Sequence, residues 1–117
     1  ASPHAIFSYP QIASVGLTQL QAEKKHYNIL VGKAKYDQVA KGQAMKETNG
    51  FAKAIVDKKD RSILGFHIIG PYAPMLIQEV ITIMQLKGEI GHIGQAMHIH
   101  PSLSELIQRT FANLKEA

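Results

Sequence analysis

The chain has 117 residues, enough for one domain, and its 45% hydrophobic and 19% charged residues suit a globular chain burying a single core. It contains no cysteine, which excludes disulfides, thiolate metal sites and any thiol chemistry of its own. The net charge of +4 comes from scattered lysines with only Arg61 and Arg109 to fork onto phosphates or guanines, so a solvated basic surface is expected and no nucleic-acid partner. No apolar run reaches the ~18 residues that a membrane helix requires, so no membrane partner is expected. Residues 1–10 lack the basic-then-apolar order of a secretory signal, and a cytoplasmic setting is expected.

In chain order, residues 6–16 are apolar but interrupted by Pro10, which predicts an edge strand. Thr18 followed by Gln21 has the spacing of a capping box opening a short helix that runs to about Lys25. Residues 28–36 alternate as a strand does, with Leu30, Ala34 and Tyr36 set against Val31, Lys33 and Lys35. Residues 37–50 are polar and glycine-bearing and read as loop with some extended structure. Residues 51–57 and 63–70 flank Lys58-Lys59-Asp60-Arg61-Ser62, the pattern of a hairpin with a charged tip. The second of these strands is apolar on both parities, which predicts a central strand covered on both faces.

Helical patterning takes over after Gly70-Pro71. Residues 75–87 carry an apolar arc too wide for one-sided packing, so either the helix is crowded by its neighbours or part of the arc meets another subunit. The arc around Ile77, Ile81 and Met84 is expected to be exposed and to favour self-association. A last helix over residues 102–114 shows a narrower stripe of Leu103, Leu106, Ile107, Thr110, Phe111 and Leu114. Strands first and long helices last predict an α+β fold with an antiparallel sheet, one domain over residues 1–117.

Chemistry concentrates in Met97-His98-Ile99-His100-Pro101-Ser102-Leu103-Ser104-Glu105. In extended chain His98 and His100 share a face. Pro101 disfavours helix at His100, so a helix begins just beyond it, with Ser102 as N-cap and Glu105 at the third helical position. These residues alone leave three readings open. Glu105 is a cap partner and the histidines are junction residues; or His98 and His100, with His92 or His67, bind a metal, though further ligands lack any recognisable spacing; or Glu105 holds one nitrogen of His100 while the other moves a proton.

The stretch His-Ile-His-Pro-Ser-Leu-Ser-Glu resembles the C-terminal signature of the pyridine nucleotide-disulfide oxidoreductases, His-x-His-Pro-Thr-x-x-Glu in lipoamide dehydrogenases. Residues 7–18, Phe-Ser-Tyr-Pro-Gln-Ile-Ala-Ser-Val-Gly-Leu-Thr, are similar to another motif of that family, residues 50–57 and 63–70 to its central hairpin, and Gly70-Pro71-Tyr72-Ala73 with Ile77-Gln78-Glu79 to its next helix. The resemblance implies the C-terminal homodimerisation domain of an enzyme that uses FAD and NAD(P), most like a dihydrolipoamide dehydrogenase with a lipoyl-type disulfide substrate. It implies that His100 is the acid/base of thiol-disulfide exchange, that Glu105 orients it, and that His98 and Pro101 lie near the partner subunit's flavin, with no metal. It implies a cis bond before Pro101 as well, and catalysis only in the intact enzyme: the chain has neither a Gly-x-Gly-x-x-Gly fingerprint nor a cysteine pair, so it alone binds no cofactor. Gln11, Met75 and Gly91-His92 depart from the family's usual acidic residues. The competing expectations are a non-catalytic interaction module of the same fold, a reductase of another disulfide, and a histidine metal-binding module.

Overall fold

A computed structural model describes residues 3–6, 11–38, 49–85 and 105–117. These residues build a six-stranded antiparallel sheet of β1 (His4–Ile6), β2 (Ile12–Gly16), β3 (Ile29–Lys35), β4 (Phe51–Asp57), β5 (Ile63–Ile69) and β6 (Lys115–Glu116), in the spatial order β1-β2-β5-β4-β3-β6. Helices α1 (Gln19–Lys24), α2 (Ala73–Leu76), α3 (Gln78–Gln85) and α4 (Glu105–Ala112) and a 3-10 turn at Tyr36–Gln38 complete the described elements. The α+β expectation with an antiparallel sheet is met.

The sheet's two faces follow from alternation along the strands. Ala13 and Val15 of β2, Leu30 and Ala34 of β3, Ala52, Ala54 and Val56 of β4, and Phe66 and Ile68 of β5 form one apolar face. On it lie Ala73, Ile77 and Val80 of α2 and α3 and Leu106, Ile107 and Phe111 of α4. Phe66 stacks on Phe111 with ring centroids 5.3 Å apart, joining the central strand to the last helix. The opposite face is covered at one end only, where Ala22 of α1 packs on Ile29 and Ile55 with Leu17, Val31 and Leu64 around them; Ile12, Phe51 and Ile69 lie half-buried at its other end.

The register slips between Ile55 and Val56, so Ile63 and Phe66 of β5 reach the same face although their spacing is odd. This bulge brings Ile63 onto the core face with Phe66 and Ile68 despite their mixed parity, while Leu64 and Ile69 are apolar on the other face. The predicted coverage of both faces holds only at the Leu64 end, because α1 is six residues long and leaves His67 and Ile69 half exposed.

Residues 6–16 are not one edge strand. β1 and β2 pair antiparallel with each other, and β2 also pairs with β5, so of these two strands only β1 is at an edge of the sheet; Pro10 lies outside the described residues. Residues 75–85 divide at Ile77 into α2 and α3, although the Ile81 amide still donates to the Ile77 carbonyl across the joint. The arc around Ile77 is not exposed: Ile77 is 3% accessible, and Ile81 and Met84 pack against the core, while Met75 (74%) and Tyr72 (52%) stand in solvent. The reason is that Ala73, Ile77 and Val80 join the main core, which turns this side of α2 and α3 inward. The sequence pattern also gave no sign of β6, a two-residue strand beside Leu30 and Val31.

Local chemistry explains the connections. Thr18 and Gln21 form the reciprocal cap, with the Gln21 amide donating to Thr18 Oγ1 at 3.2 Å and the Thr18 amide to Gln21 Oε1 at 3.0 Å. Thr18→Ala is expected to cost about 1 kcal/mol, the usual worth of an N-cap, read as a lower urea midpoint at unchanged slope. At the β4–β5 tip the Ser62 amide donates to Asp60 Oδ1 at 2.9 Å, and hydrogen bonding to Ser62 holds the Asp60 carboxyl below its ordinary range. Lys58 at that tip is ion-paired with Glu116 of β6.

Candidate functional site

Glu105 is the residue of the predicted catalytic group that falls among the described residues. It is the first residue of α4 and is half-buried. His98, His100, Pro101 and the proposed cap Ser102 lie outside the described residues, and so do the His100–Glu105 pairing and the cis bond expected before Pro101.

The position of Glu105 is set by how α4 is seated. Leu106, Ile107, Thr110 and Phe111 are buried on the sheet, the stripe the sequence predicts, with Leu103 outside the described residues. Thr110 is the buried polar residue of this helix, and its hydroxyl donates to the Leu106 carbonyl at 2.7 Å. Gly32 of β3 lets the backbones meet: a β-carbon there would stand 2.2 Å from the Thr110 carbonyl oxygen. Arg109 donates from its guanidinium to the Gln38 carbonyl at 3.4 Å, and the Asn113 amide donates to the Lys33 carbonyl at 2.9 Å. Apolar packing, one close backbone approach and two side-chain ties thus fix the helix along its length. A carboxylate on its first turn also sits favourably against the positive helix end. Such a group can hold and orient a proton-carrying side chain from the preceding segment.

Neighbouring elements are braced by residues the sequence reading passed over. The buried Tyr36 donates from its hydroxyl to the Pro71 carbonyl at 2.6 Å, and its ring fills the space above Gly50 and Gly70. Gln11, noted only as a departure from glutamate, accepts the Tyr72 amide on Oε1 at 2.8 Å. Tyr72 caps α2 in the left-handed region without a side-chain bond of its own, and what Gln11 satisfies is the backbone amide of this cap residue, as a glutamate also would. The aromatic spacing carried no sign of the Tyr36 contact, because its partners are far away in sequence.

His67, considered as a metal ligand, has its Nε2 2.9 Å from the Leu17 carbonyl oxygen. Among the described residues no group of three or more potential ligands gathers, and no helix is long and apolar enough to cross a membrane. The turn at Gly70 does not have the form of a phosphate-binding loop. The helix that follows a glycine turn, α2, has four residues and a proline in its first turn, and the Tyr36 ring occupies the space beside Gly70 where phosphates would need to approach.

Residues 2–111 match the family model described as the pyridine nucleotide-disulphide oxidoreductase dimerisation domain. The chain belongs to this family. It is 37% identical over 105 residues to a dihydrolipoyl dehydrogenase of Bacillus subtilis (strain 168), covering 90% of this chain and 22% of that protein. It is 38% identical over 114 residues to a mycothione reductase of Mycobacterium tuberculosis, covering 97% of this chain and 25% of that protein. The HOCl-induced flavoprotein disulfide reductase RclA of Escherichia coli superposes with a TM-score of 0.89 at 27% identity, over 95% of this chain and 25% of that one. The chain therefore spans about a quarter of the length of the curated relatives it matches. Membership makes it a dimerisation domain of oxidoreductases, as the motifs predicted.

Proposed function

We propose that residues 1–117 are the C-terminal homodimer-interface domain of a cytoplasmic flavoprotein disulfide reductase of the dihydrolipoamide dehydrogenase type. His100 is its acid/base in dithiol-disulfide exchange and Glu105 orients the ring. FAD and NAD(P) belong to other domains of the intact enzyme, and His98 and Pro101 lie beside the partner subunit's flavin. The observation that carries this reading is that the family match runs through the His-x-His-Pro-x-x-x-Glu stretch, whose glutamate begins a firmly seated helix. In the exchange a thiolate attacks a disulfide sulfur, so a thiol proton must first be taken and later returned, work suited to an imidazole of fixed tautomer.

The test is to express the intact polypeptide and follow nicotinamide oxidation with lipoamide as acceptor. Turnover with lipoamide is the expected result. The 38% identity to a mycothione reductase supports a second reading, in which the disulfide is a small-thiol one; turnover with mycothione but not lipoamide would select it. Absence of turnover with every disulfide tried would favour a non-catalytic interaction module.

Glu105→Gln in that enzyme is expected to slow exchange on the order of tenfold, because the imidazole remains and only its orientation and charge balance suffer. Pre-steady-state exchange rates would check this, and the thermal midpoint should stay within about 2 °C, since a neutral isostere keeps its place on the helix.

A further inference from the structure

The half-covered face of the sheet carries lysines that the proposed function does not use. Lys33 of β3 and Lys53 of β4 are directly opposed in register, and Lys115 of β6 pairs beside Val31, two residues along the same face. Adjacent strands are ~4.8 Å apart, so these three stems share one small area. Like charges directly opposed destabilise a sheet. Lys33 finds partial relief with its ammonium 4.4 Å from the Phe51 ring centroid. Glu116 stands at the rim, but it is ion-paired with Lys58. Helix α1 ends at Lys24 and covers only the Ile29–Ile55 end. What remains is a hollow of about 660 Å³ lined by Lys33, Lys53 and Lys115 with Gln19, Val31, Gln38 and Asn113, and by Glu116 and Ala117 on the β6 side.

The geometry points to a binding site for a condensed phosphate anion, of the tripolyphosphate class, in this hollow. Lysine ammonium groups bind phosphate as point charges, and a concave site concentrates their field. The volume lies within the range of small-ligand sites. An acidic peptide fits less well. Its same-face carboxylates, ~6.6 Å apart in an extended chain, would be set wider than the directly opposed Lys33–Lys53 pair at ~5 Å. It also could not add as a strand, because the Asn113 amide occupies the Lys33 carbonyl and Gln38 Oε1 accepts the Lys35 amide.

The experiment titrates tripolyphosphate into the 117-residue chain and into the intact polypeptide by calorimetry, alongside thermal midpoints. Saturable binding is expected in both, weakened at least tenfold in Lys33→Gln and in Lys53→Gln and unchanged in Lys24→Gln on the outer side of α1. Without ligand, Lys53→Gln is expected to raise the midpoint, a gain that closes near 1 M salt, where the screening length falls to ~3 Å. Unchanged affinity in Lys53→Gln, or an equal loss in Lys24→Gln, would overturn the site. So would binding by the chain that vanishes in the intact polypeptide. Tighter binding of an oligoglutamate or an oligonucleotide than of tripolyphosphate would overturn it too, in favour of a macromolecular partner.

Discussion

His100→Gln in the intact reductase is expected to slow dithiol-disulfide exchange by about a hundred- to ten-thousand-fold, the usual cost of losing a general acid/base. Glutamine keeps much of the volume and a hydrogen-bonding head, yet it cannot take a thiol proton near neutral pH. Reduction of the enzyme by nicotinamide needs no such transfer from a thiol and should keep its rate, which makes the two half-reactions a built-in control. Stopped-flow measurement separates them. Equal slowing of both would indicate general damage, and an unchanged exchange rate would remove His100 from the chemistry. His98→Ala is expected to fall well below His100→Gln, because His98 has no proton-transfer role in this scheme. The comparison also decides between an enzyme and an interaction module, since a module tolerates all these changes equally.

Much of this fold is written locally. The Thr18–Gln21 cap, the hairpin around Lys58-Lys59-Asp60-Arg61-Ser62 and the stripe on α4 depend on residues within a few positions of each other, and each stands where its pattern places it. What escaped depends on partners distant in the chain. β6 exists because Leu30 and Val31 offer a free edge, a property of the assembled sheet and not of Lys115-Glu116. The apolar arc of α3 suggested exposure because its width was judged without the sheet beneath it; Ile77 and Val80 are buried there. The bulge at Ile55 and Val56 is likewise invisible to alternation counts, yet it sends Leu64 to the α1 side and Ile63 to the main core. Of the candidate site, residue types and order were legible in the motif, whereas the seating of Glu105 was not. That seating depends on a glycine in a strand about seventy residues earlier, whose role a sequence pattern does not announce.

Gly32→Ala is the structural counterpart of the His100 test. A β-carbon at Gly32 would lie 2.2 Å from the Thr110 carbonyl oxygen and 3.1 Å from Leu114 Cδ2. The nearer atom is backbone of α4, so no side-chain rotation relieves the clash; the helix must lift from β3 or the strand must bend. Lifting loosens Leu106, Ile107 and Phe111, all buried against the sheet, and strains the Phe66–Phe111 stack. Bending β3 is opposed by its full antiparallel register with β4. Overpacking of this kind costs about 3 kcal/mol or more when backbone must move. For a domain of this size that corresponds to a drop of about 10 to 15 °C in thermal midpoint. Because α4 carries Glu105 at its first residue, the same shift should displace the carboxylate and slow exchange in the intact enzyme at temperatures where the variant remains folded. Calorimetric melting and exchange rates on the same preparation read both effects. A variant that melts within about 2 °C of the parent would show that α4 is not held against β3 at this point. A destabilised variant with the parent's exchange rate would separate the seating of the helix from the chemistry assigned to Glu105.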